Sequence, residues 1–112
     1  MEETLGFVET CGLIAAVEAA DAMNKAARVR IKTVCNADAA LISVICTGDL
    51  ASCKAAVDAG KSAASRVGDL ANSNLIARAD NDTSKLVDHY LVHLFNIVPE
   101  DSEQKSKSKK KK

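Results

Sequence analysis

The chain has 112 residues, 47% of them hydrophobic, a formal net charge of zero and only three aromatic residues, Phe7, Tyr90 and Phe95. That length supports one domain around a single two-layer core, not a catalytic domain joined to a cofactor domain. The neutral total hides a split, with nine basic against 12 acidic residues ahead of Pro99 and a lysine-rich end beyond it, so the body is not a nucleic-acid surface by charge and lacks the rings of a base-stacking platform.

The first strand is expected at Thr4 to Thr10, turning at Cys11-Gly12 into an alanine-rich helix over Gly12 to Ala27. Leu13, Ala16, Val17, Ala20 and Met23 recur at steps of three and four, while Glu18, Asp21, Asn24 and Lys25 fill the other side, so one flank is suited to lie close on a sheet. Strand two, Val29 to Cys35, alternates with period two as a half-buried strand does. After the short break Asn36 to Ala40, strand three at Leu41 to Thr47 has the apolar content of a central strand. Gly48 ends it, and Asp49 is placed to cap a second helix over Leu50 to Arg66.

That helix carries Leu50, Cys53, Val57, Gly60 and Ala64 on one stripe. Gly60 costs about 1 kcal/mol of helix stability relative to alanine, so its use is close approach of another element. Strand four is expected at Asn74 to Arg78, and a last helix from Asp82 or Thr83 to Phe95 with Leu86, Val87, Tyr90, Leu91 and Leu94 on its apolar face. The fold class is then α+β, a ferredoxin-like split βαβ (βαββαβ plus a C-terminal helix) with an antiparallel sheet and helices packed on it. One domain is expected over residues 1–98, and residues 99–112, EDSEQKSKSKKKK with its preceding proline, are expected to be a disordered lysine-rich tail.

Phosphate loops and nucleophile elbows are absent from the sequence, which argues against catalysis. His89 and His93 stand four apart and are best taken as a solvated helix face. Four cysteines, Cys11, Cys35, Cys46 and Cys53, form no C-x-x-C pair, and no secretion signal or apolar run near the ~20 residues of a membrane helix occurs, so a soluble protein in a reducing cytoplasm is expected. Asn81-Asp82-Thr83 is expected to cap a helix.

Gly6-Phe7-Val8-Glu9-Thr10, Glu18 to Met23, Lys25 to Val29, Val44 to Leu50, Ala55 to Gly60 and Leu75 to Arg78 together resemble, in order, the BMC-domain proteins that tile bacterial microcompartment shells in carboxysomes and metabolosomes. The resemblance is to the single-domain, hexamer-forming group. It implies a six-fold disc that joins other shell hexamers and pentamers, encloses enzymes and passes small metabolites through a central pore. By the same resemblance, Asn36, Ala37, Asp38 and Ala39 line the pore, and Lys25 and Arg78 sit on the hexamer edge. Asp38 and Ala40 stand where the family commonly has glycines, and Ala79 and Asp80 replace its proline and histidine after the edge arginine.

The expected function is therefore a non-enzymatic shell protein with no cofactor, no membrane partner and no nucleic acid. A regulatory ferredoxin-like oligomer that binds a small molecule is a second reading. A third keeps the hexamer and gives it a metal or iron–sulfur centre at Cys35.

Overall fold

The computed structural model describes residues 3–91 and 93–96. In chain order these residues form β1 (Glu3–Cys11), α1 (Leu13–Ala26), β2 (Arg30–Asn36), β3 (Leu41–Gly48), α2 (Leu50–Val67), β4 (Asp69–Ala79), α3 (Asn81–Lys85), a π-helical turn (Leu86–Tyr90) and β5 (His93–Asn96). The strands make one antiparallel sheet in the order β4-β1-β3-β2-β5. β1 and β2 run the same way with β3 between them, which is the split βαβ arrangement expected of the sequence.

α1 and α2 lie on one face of this sheet. Val8, Val44, Cys46 and Ile42 from the strands meet Ala15, Ala16, Ala19 and Met23 of α1 and Cys53, Ala56, Val57 and Ala64 of α2. Two glycines set the spacing. A Cβ on Gly6 would come within 2.8 Å of both Cys46 Sγ and Val57 Cγ2, and one on Gly60 would come within 2.8 Å of Met23 Cγ. Gly60 thus serves the close approach that its helical position suggested. Asp49 caps α2 by accepting the Ser52 N–H at 2.8 Å.

The inward side of α1 is its alanine stripe, Ala15, Ala16, Ala19 and Met23. Leu13, Ile14 and Val17 are instead 45%, 79% and 59% exposed. The expectation that Leu13 and Val17 share the packed flank is thereby corrected. Apart from Met23, which takes the space left by Gly60, the inward residues of α1 are alanines, and the bulkier Leu13, Ile14 and Val17 turn outward.

A smaller cluster covers the opposite face, where Leu5, Cys35, Ile45 and Ala79 pack with Val87 and, at the margin, Phe7, Ile76 and Leu91. β2 serves both faces because its pairing with β3 shifts register between Ile31 and Thr33; Ile31 joins the helix-side core and Cys35 the other.

The chain end differs from the expected long helix. Helical structure stops at Tyr90, Leu91 turns extended, and His93–Asn96 pairs with β2. The pairing supplies hydrogen-bond partners to a β2 edge that would otherwise be open. Leu86 and Tyr90 are exposed, while Val87 is buried. β4 also begins earlier than expected, at Asp69, because its polar first half sits on a sheet edge and shows little apolar signal. The cap of α3 is Asp80, whose carboxylate accepts the Asp82 N–H at 3.1 Å, rather than the Asn81-Asp82-Thr83 stretch. Residues 99–112 lie outside the described residues.

Lys32 ties this C-terminal segment to the sheet. Its ammonium, in a side chain 8% exposed, pairs with Glu3 of β1 and with Asp88 of the π-helical turn at 2.8 Å. Thr47 donates to the other Glu3 oxygen at 3.1 Å. Burial, the largest single influence, would raise the Glu3 pKa, but the Lys32 ammonium together with the Ser84 and Thr47 hydroxyls outweighs it and holds the carboxyl below its ordinary range. Burial alone would lower Lys32, and the bonds from Asp88 and Glu3 hold it above its ordinary value. The share carried by Glu3 is thus present above the unfolded value of about 4.3 and fades as pH falls through the folded one. That carried by Lys32 is present below about 10.4 and fades as pH rises through its folded value. Lys32→Met should cost about 2 kcal/mol at neutral pH, since both carboxylates keep partial solvent access. Urea unfolding at pH 7 and pH 3 checks this; the gap between variant and parent should narrow in acid, and an equal gap at both pH values would contradict the assignment.

Candidate functional site

The turn between β2 and β3 is exposed from Asn36 to Ala40 and closed by its own hydrogen bonds. The Asn36 Oδ1 accepts the Asp38 N–H at 2.9 Å. Ala37 N–H donates to Leu41 O and Leu41 N–H to Asp38 O, both at 2.9 Å, and Gly12 N–H donates to Ala40 O at 2.7 Å. The last bond joins the turn to the β1–α1 junction.

Three successive residues without glycine's freedom take the left-handed conformation here, Asp38 at φ 69°, Ala39 at 52° and Ala40 at 66°. Glycine would adopt this backbone without Cβ crowding. Within the described residues, the N–H groups of Ala39 and Ala40 donate to no protein atom. The turn therefore retains open backbone donors, and beside them it carries the Asp38 carboxylate.

Lys25 and Arg78 are far from this turn. β1 pairs with β3 from Cys11↔Leu41 at one end to Thr4↔Gly48 at the other. The turn lies at the Leu41 end. α1 starts there and runs back, so Lys25 in its last turn lies at the Gly48 end, as does Arg78, one residue before the Ala79↔Glu3 pair. Seven strand steps of about 3.4 Å separate the two ends, roughly 24 Å. Lys25 is 76% exposed and bonds Asp21 at 2.8 Å, which raises its pKa. Arg78 is exposed on the edge strand β4.

Cys35 stands one residue before the turn but points into the core beneath Val87, 4% exposed, with its Sγ 3.7 Å from Thr33 Oγ1. Burial pushes its thiol pKa up, and that of Cys46, beside Cys53, to about 12. Among the described residues no group of three or more His, Cys, Asp or Glu is arranged to hold a metal ion, and none of the four cysteines is in a disulfide. His89 and His93 do not share a helix face, because His93 belongs to β5.

Two features escaped the sequence reading. One is the exposed apolar strip Leu13, Ile14 and Val17, whose side chains had a detectable pattern but no indication of which flank faces out. The other is a cleft on the sheet face opposite α1 and α2, lined by Phe7 and Glu9 of β1, Ser43 of β3 and Asn72 and Asn74 of β4. Its residues meet only through strand pairing. No helix among the described residues is long and apolar enough to cross a membrane.

Residues 4–79 match the family model described as the BMC domain. The chain is 45% identical over 84 residues to the bacterial microcompartment shell protein EutM of Salmonella typhimurium, covering 75% of this chain and 88% of that one. It is 44% identical over 86 residues to the shell protein PduA of the same organism, covering 77% and 92%. The carboxysome shell protein CsoS1C of Halothiobacillus neapolitanus is 40% identical over 84 residues, with 74% and 86% covered. Among solved structures, a microcompartment protein from Desulfitobacterium hafniense superposes with a TM-score of 0.69 at 26% identity, over 79% of this chain and 48% of that one.

If the left-handed turn is held against a side-chain penalty, Ala40→Gly should stabilise the protein by about 0.5–1 kcal/mol, the relief of crowding less the added freedom of the unfolded chain. Ala37→Gly, outside the left-handed run, should destabilise it. Thermal unfolding of the two variants measures both; a loss of stability in Ala40→Gly would contradict the strained-turn reading.

Proposed function

Because this chain belongs to the BMC-domain family and is a structural shell protein of a bacterial microcompartment, we propose that it builds that shell as a homohexamer, with the Asn36–Ala40 turn around a central pore and Lys25 and Arg78 on the rim. The observation that carries the arrangement is the separation of turn and rim residues at opposite ends of the sheet. A protomer of this form has its turn end and its outer end some two dozen ångströms apart, an arrangement suited to a subunit that spans from axis to perimeter of a ring.

The outward strip of Leu13, Ile14 and Val17 supports association between protomers. Such side chains cluster near the turn end of α1, and burying them against a neighbour contributes about 1.5–3 kcal/mol for each that is fully covered. On the rim, the aliphatic stem of Lys25 offers apolar cover while its ammonium seeks acceptors on the adjoining hexamer, and Arg78 offers several donors for backbone carbonyls. Pentamers and encapsulated enzymes complete the proposed set of partners. The role is confinement and selective passage, not catalysis, and it calls for no cofactor.

Six copies of Asp38 around the opening favour cations over anions, against the attraction that open N–H groups of Ala39 and Ala40 offer to anions. A full charge outweighs the partial charges of two amides at similar distance, so cation preference is the net expectation. The regulatory reading and the metal-bearing hexamer gain no comparable support; the Cys35 thiol is turned into the core.

Two measurements test the proposal. Lys25→Asp should leave the native mass at six protomers while lowering the yield of two-dimensional sheets at least about tenfold, the effect of losing ~1.4 kcal/mol at each junction. Undiminished sheets by electron microscopy would discard the rim assignment. Asp38→Lys should reverse the ion preference of single hexamers read from the reversal potential in a KCl gradient; an unchanged sign would remove Asp38 from the pore.

A further inference from the structure

The cleft on the open sheet face has a chemistry that the shell role does not use. Pairing places Asn72, Glu9 and Ser43 side by side across β4, β1 and β3, with Asn74 beside Phe7 in the adjacent row. The hollow they line holds about 160 Å³. At about 30 Å³ per water in the liquid, this is room for about five waters, or a molecule of about that many non-hydrogen atoms.

The polar atoms are only partly satisfied. Ser43 Oγ donates to Glu9 Oε2 at 2.9 Å, and Asn72 Oδ1 accepts the Ser73 N–H at 2.8 Å. The second Glu9 oxygen, the Asn72 amide NH₂ and the whole Asn74 carboxamide make no hydrogen bond within the described residues. Among the described residues no ion pair engages Glu9. A half-buried carboxylate beside the Phe7 ring and two carboxamides thus asks for positive charge, an apolar body small enough for the ring, and a group that bonds an amide.

We propose that this cleft binds a small organic ammonium ion, with Glu9 accepting from its N–H groups, Phe7 contacting its carbon atoms and Asn72 and Asn74 bonding a second polar group. The cleft lies within one protomer, two residues along β1 from the Cys11↔Leu41 pair at which the turn begins. Such a site would hold amine-bearing metabolites close to the turn end of the protein. It goes beyond the shell reading and does not depend on it, because every lining residue comes from a single chain.

Saturation-transfer difference NMR on the full-length assembled protein tests it with ethylammonium, ethanol and acetate as separate probes. Ethylammonium alone should give strong enhancements. Glu9→Gln, which keeps the shape and an acceptor for Ser43, should weaken that binding about tenfold, the size of a lost charge-assisted bond. Asn74→Ala, at an exposed position, should weaken a hydroxylated amine more than ethylammonium. Equal enhancement of ethanol, full binding by Glu9→Gln, or no enhancement from any probe, as when a neighbouring protomer fills the cleft, would overturn the proposal while leaving hexamer mass and sheet formation untouched.

Discussion

The protomer depends on a layer contact in which Gly6 and Gly60 leave no space for a Cβ. Met23 rests on Gly60 and Val57 on Gly6, so α1, α2 and β1 come together at distances that require a glycine on one side of each contact. From this one constraint follow the alanine stripe of α1, the burial of the Cys46 and Cys53 thiols as small apolar groups, and the outward turn of Leu13, Ile14 and Val17. Tight internal packing and an unpartnered apolar strip thereby have a common cause. Where α1 meets its neighbours mainly through alanine methyls, its larger apolar residues Leu13, Ile14 and Val17 remain on the outside.

The turn at Asn36–Ala40 shows a second compromise. Its backbone follows a left-handed path suited to glycine, yet Asp38, Ala39 and Ala40 follow it with side chains attached. What the chain gains is a carboxylate at the tip of a turn whose backbone is held by the bond from Asp38 N–H to Asn36 Oδ1 and anchored at Ala40 O by the Gly12 N–H at the start of α1. The strain is local, of the order of 1–2 kcal/mol per residue, and the surrounding sheet holds the path in place.

Much of the architecture was legible because period and capping agree along most of the chain. The alternation in β2, the apolar run of β3, Asp49 ahead of α2 and Gly60 within it each led to the observed element. The polar half of β4 was not legible, since an edge strand with Asp69, Asn72 and Asn74 resembles a loop until β1 is seen beside it. Nor was the end at Tyr90, because Leu91 and Leu94 fit a helical stripe as well as a strand and only pairing with β2 decides between them. The site was read in part. Lys25, Arg78 and the turn came from the family resemblance, whereas the Glu9 cleft combines residues some sixty positions apart that no local pattern joins.

The central claim is that six copies close with the β2–β3 turn at the axis and the Gly48 end of the sheet at the perimeter. Electron cryomicroscopy of the purified particle measures this most directly. The account predicts a six-fold density with Asp38 facing the central opening and Lys25 and Arg78 outermost; a monomer, or a ring with the turn on its outer edge, would contradict it.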